Sequence, residues 1–156
     1  MKAKIQKILG TSLGVGYFPI APGTFGAIMA LPIYFLYHGR ILSSLQYNLL
    51  LFVLILLSYI IGVWAANGLQ GEWGADPKRI VIDETHGQWI AMLALPLNLW
   101  YLLISFVLFR LFDIWKPLGI RKLDQIKNGH GVILDDTLSG VYALVVTQIL
   151  MFIQQQ

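Results

Sequence analysis

The sequence predicts an all-α integral membrane protein with about three spanning helices and a re-entrant helical hairpin that turns near Pro96–Asn98. Three observations carry this reading. Hydrophobic residues make up 57% of the chain and charged ones only 12%, where a soluble domain carries about 25% charged residues. Polar surface is therefore too scarce to cover a soluble globule, and lipid must take its place. Long stretches carry no charge at all, and the lysines and arginines fall on one side of a membrane only if one of those stretches folds back. At 156 residues the chain is expected to form a single domain, 1–156.

Met1–Leu9, with Lys2, Lys4 and Lys7 between apolar residues, reads as an interfacial amphipathic turn. The start is only superficially like a signal peptide. Gly10, Gly14, Gly16, Pro19 and Pro22 interrupt any apolar core, so the segment is expected to be retained. Thr24 is a good N-cap for a helix through His38, kinked at Pro32, which forms a short first span. Tyr47–Ala65 is nineteen residues without a charge, flanked by Tyr47 and Trp64 as interface aromatics, and is the clearest spanning helix. Asn67–Arg79 reads as a polar loop. The last apolar run, Leu138–Ile153, is just long enough to cross a thin bilayer.

Gln88–Phe109 holds 22 uncharged residues, but Pro96-Leu97-Asn98 divides it into pieces too short to span. The charge bias decides its course. A single crossing places five Lys and Arg on the N-terminal side and six on the other, whereas a fold-back places ten on one side and only Arg40 opposite. The positive-inside rule selects the fold-back and puts the ten on the cytoplasmic face. Backbone at Pro96–Asn98 then needs shelter from neighbouring helices.

The fold-back also gathers the acidic residues. Asp83-Glu84, Asp113 and Asp135-Asp136 meet on one face; a straight crossing would part the first two groups by roughly 30 Å. Five carboxylates without a His or Cys cluster point to Mg²⁺. Asp83, Glu84, Asp135 and Asp136 also lie where helices are expected to start, so capping is the simpler account of either pair alone. Both pairs together with Asp113, beside lipid-buried runs, favour a site. Asp113 and Lys116 could pair locally at i, i+3, and Pro117 should end that helix. Lys116 is the strongest phosphate ligand, while Arg110, Arg121, Lys122 and Lys127 taken singly read as positive-inside anchors. His86 and His130 read as polar loop residues near the site. The net charge of +3 is modest and suits an anionic membrane face better than nucleic acid.

At these residues the chain resembles the phosphatidylglycerophosphatase A family of bacterial membrane phosphatases. The segments are APGTFGA, IVIDETHGQWIA, FRLFDIWKPLGIRKLD and GHGVILDDTLSGVYA, in the family's order and over most of the chain. Thr85-His86 stands where the family has apolar residues. The resemblance implies Mg²⁺-dependent removal of the terminal phosphate from phosphatidylglycerol phosphate, a phospholipid drawn from the bilayer. It also implies roles for Thr24, Asp83, Glu84, Asp113, Lys116, Asp124, Asp135 and Asp136.

The combined expectation is a phosphoric monoester hydrolase of phospholipid biosynthesis. Asp83, Glu84, Asp113, Asp135 and Asp136 would hold metal, with Asp113, Asp136 and Lys116 catalytic. Thr24, Arg110, Lys116 and Asp124 would bind substrate. Direct attack by water and an aspartyl-phosphate on Asp113 or Asp136 both fit. The alternatives are an enzyme acting on another lipid phosphate or a CDP-lipid, or a small transporter, whose charges should lie nearer mid-bilayer.

Overall fold

A computed structural model describes residues 1–74 and 77–154, all helix, turn or loop, with no strand among them. Ala75 and Asp76 of the polar segment, and the terminal Gln155 and Gln156, lie outside the described residues. The chain is a helical membrane protein. Its helices are α1 (Lys2–Gly10), α2 (Pro22–Ala30), α3 (Pro32–His38), α4 (Ser44–Trp73), α5 (Ile82–Ala91), α6 (Leu99–Trp115), α7 (Ile120–Asp124) and α8 (Gly129–Gln154), with a 3-10 turn at Val15–Tyr17.

Two of these, α4 and α8, are long and apolar enough to cross a bilayer. Their outer faces carry large apolar residues, among them Leu49, Phe52, Val53, Leu56 and Ile60 on α4 and Val145, Ile149 and Phe152 on α8. Interior positions are often small or polar: Ser58, Ala65, Ser139, Ala143 and Thr147 are buried. This inside-out distribution suits a lipid surround, in which helices associate through close packing rather than burial of leucine.

Several boundaries differ from the sequence reading. Helix α4 starts at a capping box, with Ser43 and Gln46 satisfying each other's backbone N–H, and runs on to Trp73, so Asn67–Trp73 is helical rather than loop. The helix expected from Thr24 begins at Pro22, with Ala21 as N-cap in the left-handed region and Thr24 inside the first turn. Proline at N1 has no N–H to lose and a φ already set for a helix, so the start moves forward to it. Pro32 separates α2 from α3, and the proposed first span is built of these two short helices. Helix α8 begins at Gly129, not near Leu138, with Asn128 Oδ1 accepting from the N–H of His130 (2.9 Å) and Gly131 (3.2 Å).

The fold-back at Pro96 is present. Ten residues of α5 rise about 15 Å, half of a bilayer's ~30 Å hydrocarbon core, before the chain turns and returns as α6. The turn is sheltered by side chains from three helices. Tyr34, fully buried on α3, donates its hydroxyl to Pro96 O (2.6 Å) and accepts from Asn98 N (2.8 Å). Tyr47 donates to Met92 O (3.2 Å), Asn48 Oδ1 accepts from Ala94 N (2.7 Å), and Gln148 Nε2 reaches the Leu93 and Ala94 carbonyls. Asn98 caps α6 by accepting from Trp100 N. Every one of these groups would be costly to leave unpaired in lipid.

Helix α5 is wrapped by α2, α4 and α8, and its most extensive contact is with α8. A Cβ on Gly140 would run into the Gly87 carbonyl oxygen, and one on Gly87 would meet the Phe109 ring and Asp136 O. Two glycines facing each other let the backbones meet, the small-residue packing favoured in membranes. That contact sets how near the start of α5 comes to the acidic turn of α8.

Candidate metal and phosphate site

One cavity of about 870 Å³ collects the acidic segments. The first turn of α5 supplies Asp83 and Glu84, the last turns of α6 supply Arg110 and Asp113, and the second turn of α8 supplies Asp135 and Asp136. Lys116 follows α6, while Ala21, Pro22 and Gly23 bring the start of α2 to the same wall. Ile80, Ile114, Ile126 and Val132 make part of the lining apolar.

Asp83 and Glu84 lie in the first turn of α5, where the helix dipole favours them, but neither pair serves as an N-cap. No side chain caps α5, and Asp135 and Asp136 lie well inside α8, whose start is served by Asn128. Asp83, Asp135 and Asp136 are buried, and Glu84 and Asp113 are half-buried. Carboxylate oxygens of Asp83, Glu84 and Asp136 come within 4.8 Å of one another, and so do those of Asp113, Asp135 and Asp136. Asp136 belongs to both triads.

Burial, then repulsion from Glu84, pushes the Asp83 carboxyl well above the usual carboxylate range. Burial raises Glu84 as well, with Arg110 acting against it. Glu84 Oε2 and Asp136 Oδ1 are buried without a hydrogen-bond partner. Gly23 makes room for this arrangement, since a Cβ there would strike Glu84 Oε1.

The local Asp113–Lys116 pairing is replaced by two others. Arg110 takes Asp113 (NH1 to Oδ2, 2.5 Å), and Lys116 reaches across to α8 and Asp135 (Nζ to Oδ2, 2.7 Å). The cross-helix bond follows from the backbone. Lys116 ends α6 in the left-handed region at φ 48°, ahead of Pro117, and Leu118 (46°) and Gly119 (95°) continue the sharp turn. A non-glycine residue held there costs on the order of 1–3 kcal/mol, a strain typical of functional sites. The ion pair, and the Tyr142 hydroxyl donating to Leu118 O (2.8 Å), hold the turn against that cost.

The family model for phosphatidylglycerophosphatase A matches residues 8–151. This chain belongs to the phosphatidylglycerophosphatase A family. It is therefore a phosphatase acting on a phosphomonoester. A protein of Bacteroides thetaiotaomicron named putative phosphatidylinositol-3-phosphatase is 45% identical over 148 residues, covering 88% of each chain. Phosphatidylglycerophosphatase A of Escherichia coli is 36% identical, over 86% of this chain and 76% of its own. The Haemophilus influenzae enzyme of the same name is 34% identical, over 89% and 84%. No solved structure matches the chain.

Of the residues expected to serve a phosphatase of this family, Asp83, Glu84, Arg110, Asp113, Lys116, Asp135 and Asp136 all line the one cavity. Thr24 stands one residue beyond its lining, half-buried, with Pro22 and Gly23 at the wall instead. Asp124 closes α7, and its side chain lies outside the described set. Lys78 and Lys127 also line the cavity. Sequence reasoning missed Lys78, placed in a polar loop, and read Lys127 as an anchor. Their only signal was proximity in sequence to the two acidic pairs.

His86 is not a loop residue. It is buried on α5 away from the cavity, with Nδ1 on Ser58 Oγ (2.8 Å) and Nε2 on Thr137 Oγ1 (3.0 Å). It bridges α4 and α8 through α5. His130 pairs with the Tyr59 hydroxyl (2.9 Å) at the exposed start of α8.

Proposed function

We propose that this phosphatase removes the terminal phosphate from phosphatidylglycerol phosphate, depends on Mg²⁺, and opens its cavity to the cytoplasmic leaflet of the bacterial inner membrane. The observation that carries the reading is the pair of carboxylate triads sharing Asp136. Oxygen-only donors suit a hard cation that keeps waters and binds substrate phosphate. Buried carboxylate oxygens with no donor, Glu84 Oε2 and Asp136 Oδ1, are the acceptors such a cation would satisfy. Asp83, Glu84 and Asp136 would hold one ion, and Asp113, Asp135 and Asp136 a second. Bound Mg²⁺ would supply neutralising charge and Lewis acidity at the phosphoryl oxygens.

The chain's own groups do the rest. Arg110 and Lys116 are each fixed by an aspartate, Asp113 and Asp135, so their positive heads stay at the cavity wall without a substrate to order them. Fixed donors of this kind offset the charge that builds on a transferring phosphoryl group. Gly23 brings the N-terminus of α2 beside Glu84 and Arg110, adding a positive helix end at the same wall. Asp113 and Asp136 remain the candidates for nucleophile or base, and Thr24 and Asp124 for outer contacts with the head group. The apolar part of the lining, with Ile80, Ile114 and Val132, suits the glycerol and acyl end of a lipid. Ten of eleven Lys and Arg on one side support the cytoplasmic orientation.

The Bacteroides relative's name favours a second reading, a phosphoinositide monoester as substrate. Phosphate release by the purified full chain separates them, with phosphatidylglycerol phosphate or phosphatidylinositol 3-phosphate in neutral-detergent micelles, plus Mg²⁺ or EDTA. The account expects at least about tenfold preference for the first lipid, a difference of roughly 1.4 kcal/mol, and loss of release in EDTA. Preference for the inositol lipid would move the assignment to the second reading, and release unaffected by EDTA would remove the metal.

A further inference from the structure

Lys78 and Lys127 line the cavity from two different loops, and neither makes a salt bridge among the described residues. Both are exposed. Their neighbours are tied down. Arg79, next to Lys78, packs against the rings of Tyr17 (5.7 Å) and Trp73 (5.8 Å). Lys7 lies over the same Trp73 ring (5.5 Å) and pairs with Glu72. The carbonyl of Lys127 itself accepts from Gln70 Nε2 (3.3 Å). Gln70 and Trp73 are three apart on the last turn of α4, so they share one face of that helix. The end of α4 thus braces both loops at the cavity, and neither ammonium group has a salt-bridge partner among the described residues.

This cation pair is separate from Arg110 and Lys116, which are already bound to carboxylates inside. With Arg110 and Lys116 committed to carboxylates, Lys78 and Lys127 are the lining cations without a carboxylate partner among the described residues. We propose that Lys78 and Lys127 bind a second phosphate of the substrate, the phosphodiester that joins the head group to the diacylglycerol. They would then select lipids carrying a diester phosphate beside the reacting monoester over lipids whose one phosphate is the monoester. The inference rests on the reading of the cavity as a lipid-phosphatase site, and holds for a glycerol or an inositol head group alike.

The test uses the full chain in neutral-detergent micelles held at one anionic mole fraction, which removes bulk attraction of lysines to a charged surface as a cause. Phosphatidylglycerol phosphate is compared with phosphatidic acid, the latter scored as substrate or, if uncleaved, as competitive inhibitor. Lys78→Gln/Lys127→Gln should raise KM for phosphatidylglycerol phosphate about tenfold or more, the loss expected for two charge-assisted contacts. The KM or Ki of phosphatidic acid should shift less than about twofold, and Lys78→Arg/Lys127→Arg should restore the discrimination. An equal shift for both lipids, or none, overturns the inference while leaving the phosphatase assignment intact. A wild-type chain that releases phosphate from none of phosphatidylglycerol phosphate, phosphatidylinositol 3-phosphate and phosphatidic acid overturns both.

Discussion

The Tyr34 hydroxyl lies 2.6 Å from the Pro96 carbonyl oxygen and 2.8 Å from the Asn98 nitrogen, closing the turn between α5 and α6 from inside the helix bundle. One side chain on α3 thereby satisfies a donor and an acceptor that the fold-back exposes. The same fold-back carries Arg110 and Asp113 back to the end of the bundle where Asp83 and Glu84 start. A hydrogen bond at one end of α5 thus helps hold the turn that returns α6 to the cavity at the other.

Tyr34→Phe should keep the ring and lose both bonds, leaving Pro96 O and Asn98 N without this partner. Pro96 O and Asn98 N keep their bond to each other (2.7 Å), so the loss is that of the two tyrosine bonds, about 0.5–1.5 kcal/mol each. Thermal unfolding in detergent should fall clearly below wild type, while phosphate release measured well below the transition remains close to normal. An unchanged transition temperature would mean that the turn is held by Tyr47, Asn48 and Gln148 alone.

The Gly87–Gly140 crossing sets the depth at which α5 meets α8, and so the spacing of Asp83 and Glu84 from Asp136. Gly140→Ala should push the helices apart, because the added methyl meets backbone rather than a side chain that can move. Misplacing catalytic groups by about 1 Å can cost on the order of 100-fold in rate. Phosphate release should therefore drop by about that factor, with the far-UV helical signal retained. Near-normal turnover would show that the carboxylate spacing tolerates this shift.

His86 offers a packing test independent of the cavity. Its Nδ1 lies 2.8 Å from Ser58 Oγ and its Nε2 3.0 Å from Thr137 Oγ1, so one buried ring ties α4 to α8. His86→Ala should leave both hydroxyls without this partner and cost about 1–3 kcal/mol. Thermal unfolding in detergent should fall below wild type, while phosphate release measured well below the transition stays close to normal. An unchanged transition temperature would contradict a bridging role for His86.

Much of the site was legible because its residues break the pattern around them. Carboxylates beside uncharged runs are expensive, and the lysine and arginine count left one course for Gln88–Phe109. The helix ends were less legible, because packing decided them. Gly129 begins α8 despite the poor helix propensity of glycine. Its N–H is taken by Asn67 Oδ1 (2.7 Å), and a Cβ there would strike the Val63 carbonyl. Asn67 itself is helical because α4 continues past the apolar span to reach that contact. The partner of Lys116 was illegible for another reason: sequence offers only the neighbour at i–3, while the left-handed turn at Lys116 turns it toward α8. Lys78 and Lys127 carry no pattern, and only the brace at the end of α4 places them.

The proposed two-cation site depends on Asp136, the carboxylate common to both triads. Calorimetric titration of Mg²⁺ into the purified full chain in detergent tests it most directly, with Asp136→Asn as comparison and substrate absent. The account predicts saturable binding to wild type that Asp136→Asn weakens by at least about tenfold, roughly 1.4 kcal/mol, with the variant still folded by far-UV circular dichroism. Equal Mg²⁺ affinity in the two proteins would contradict it.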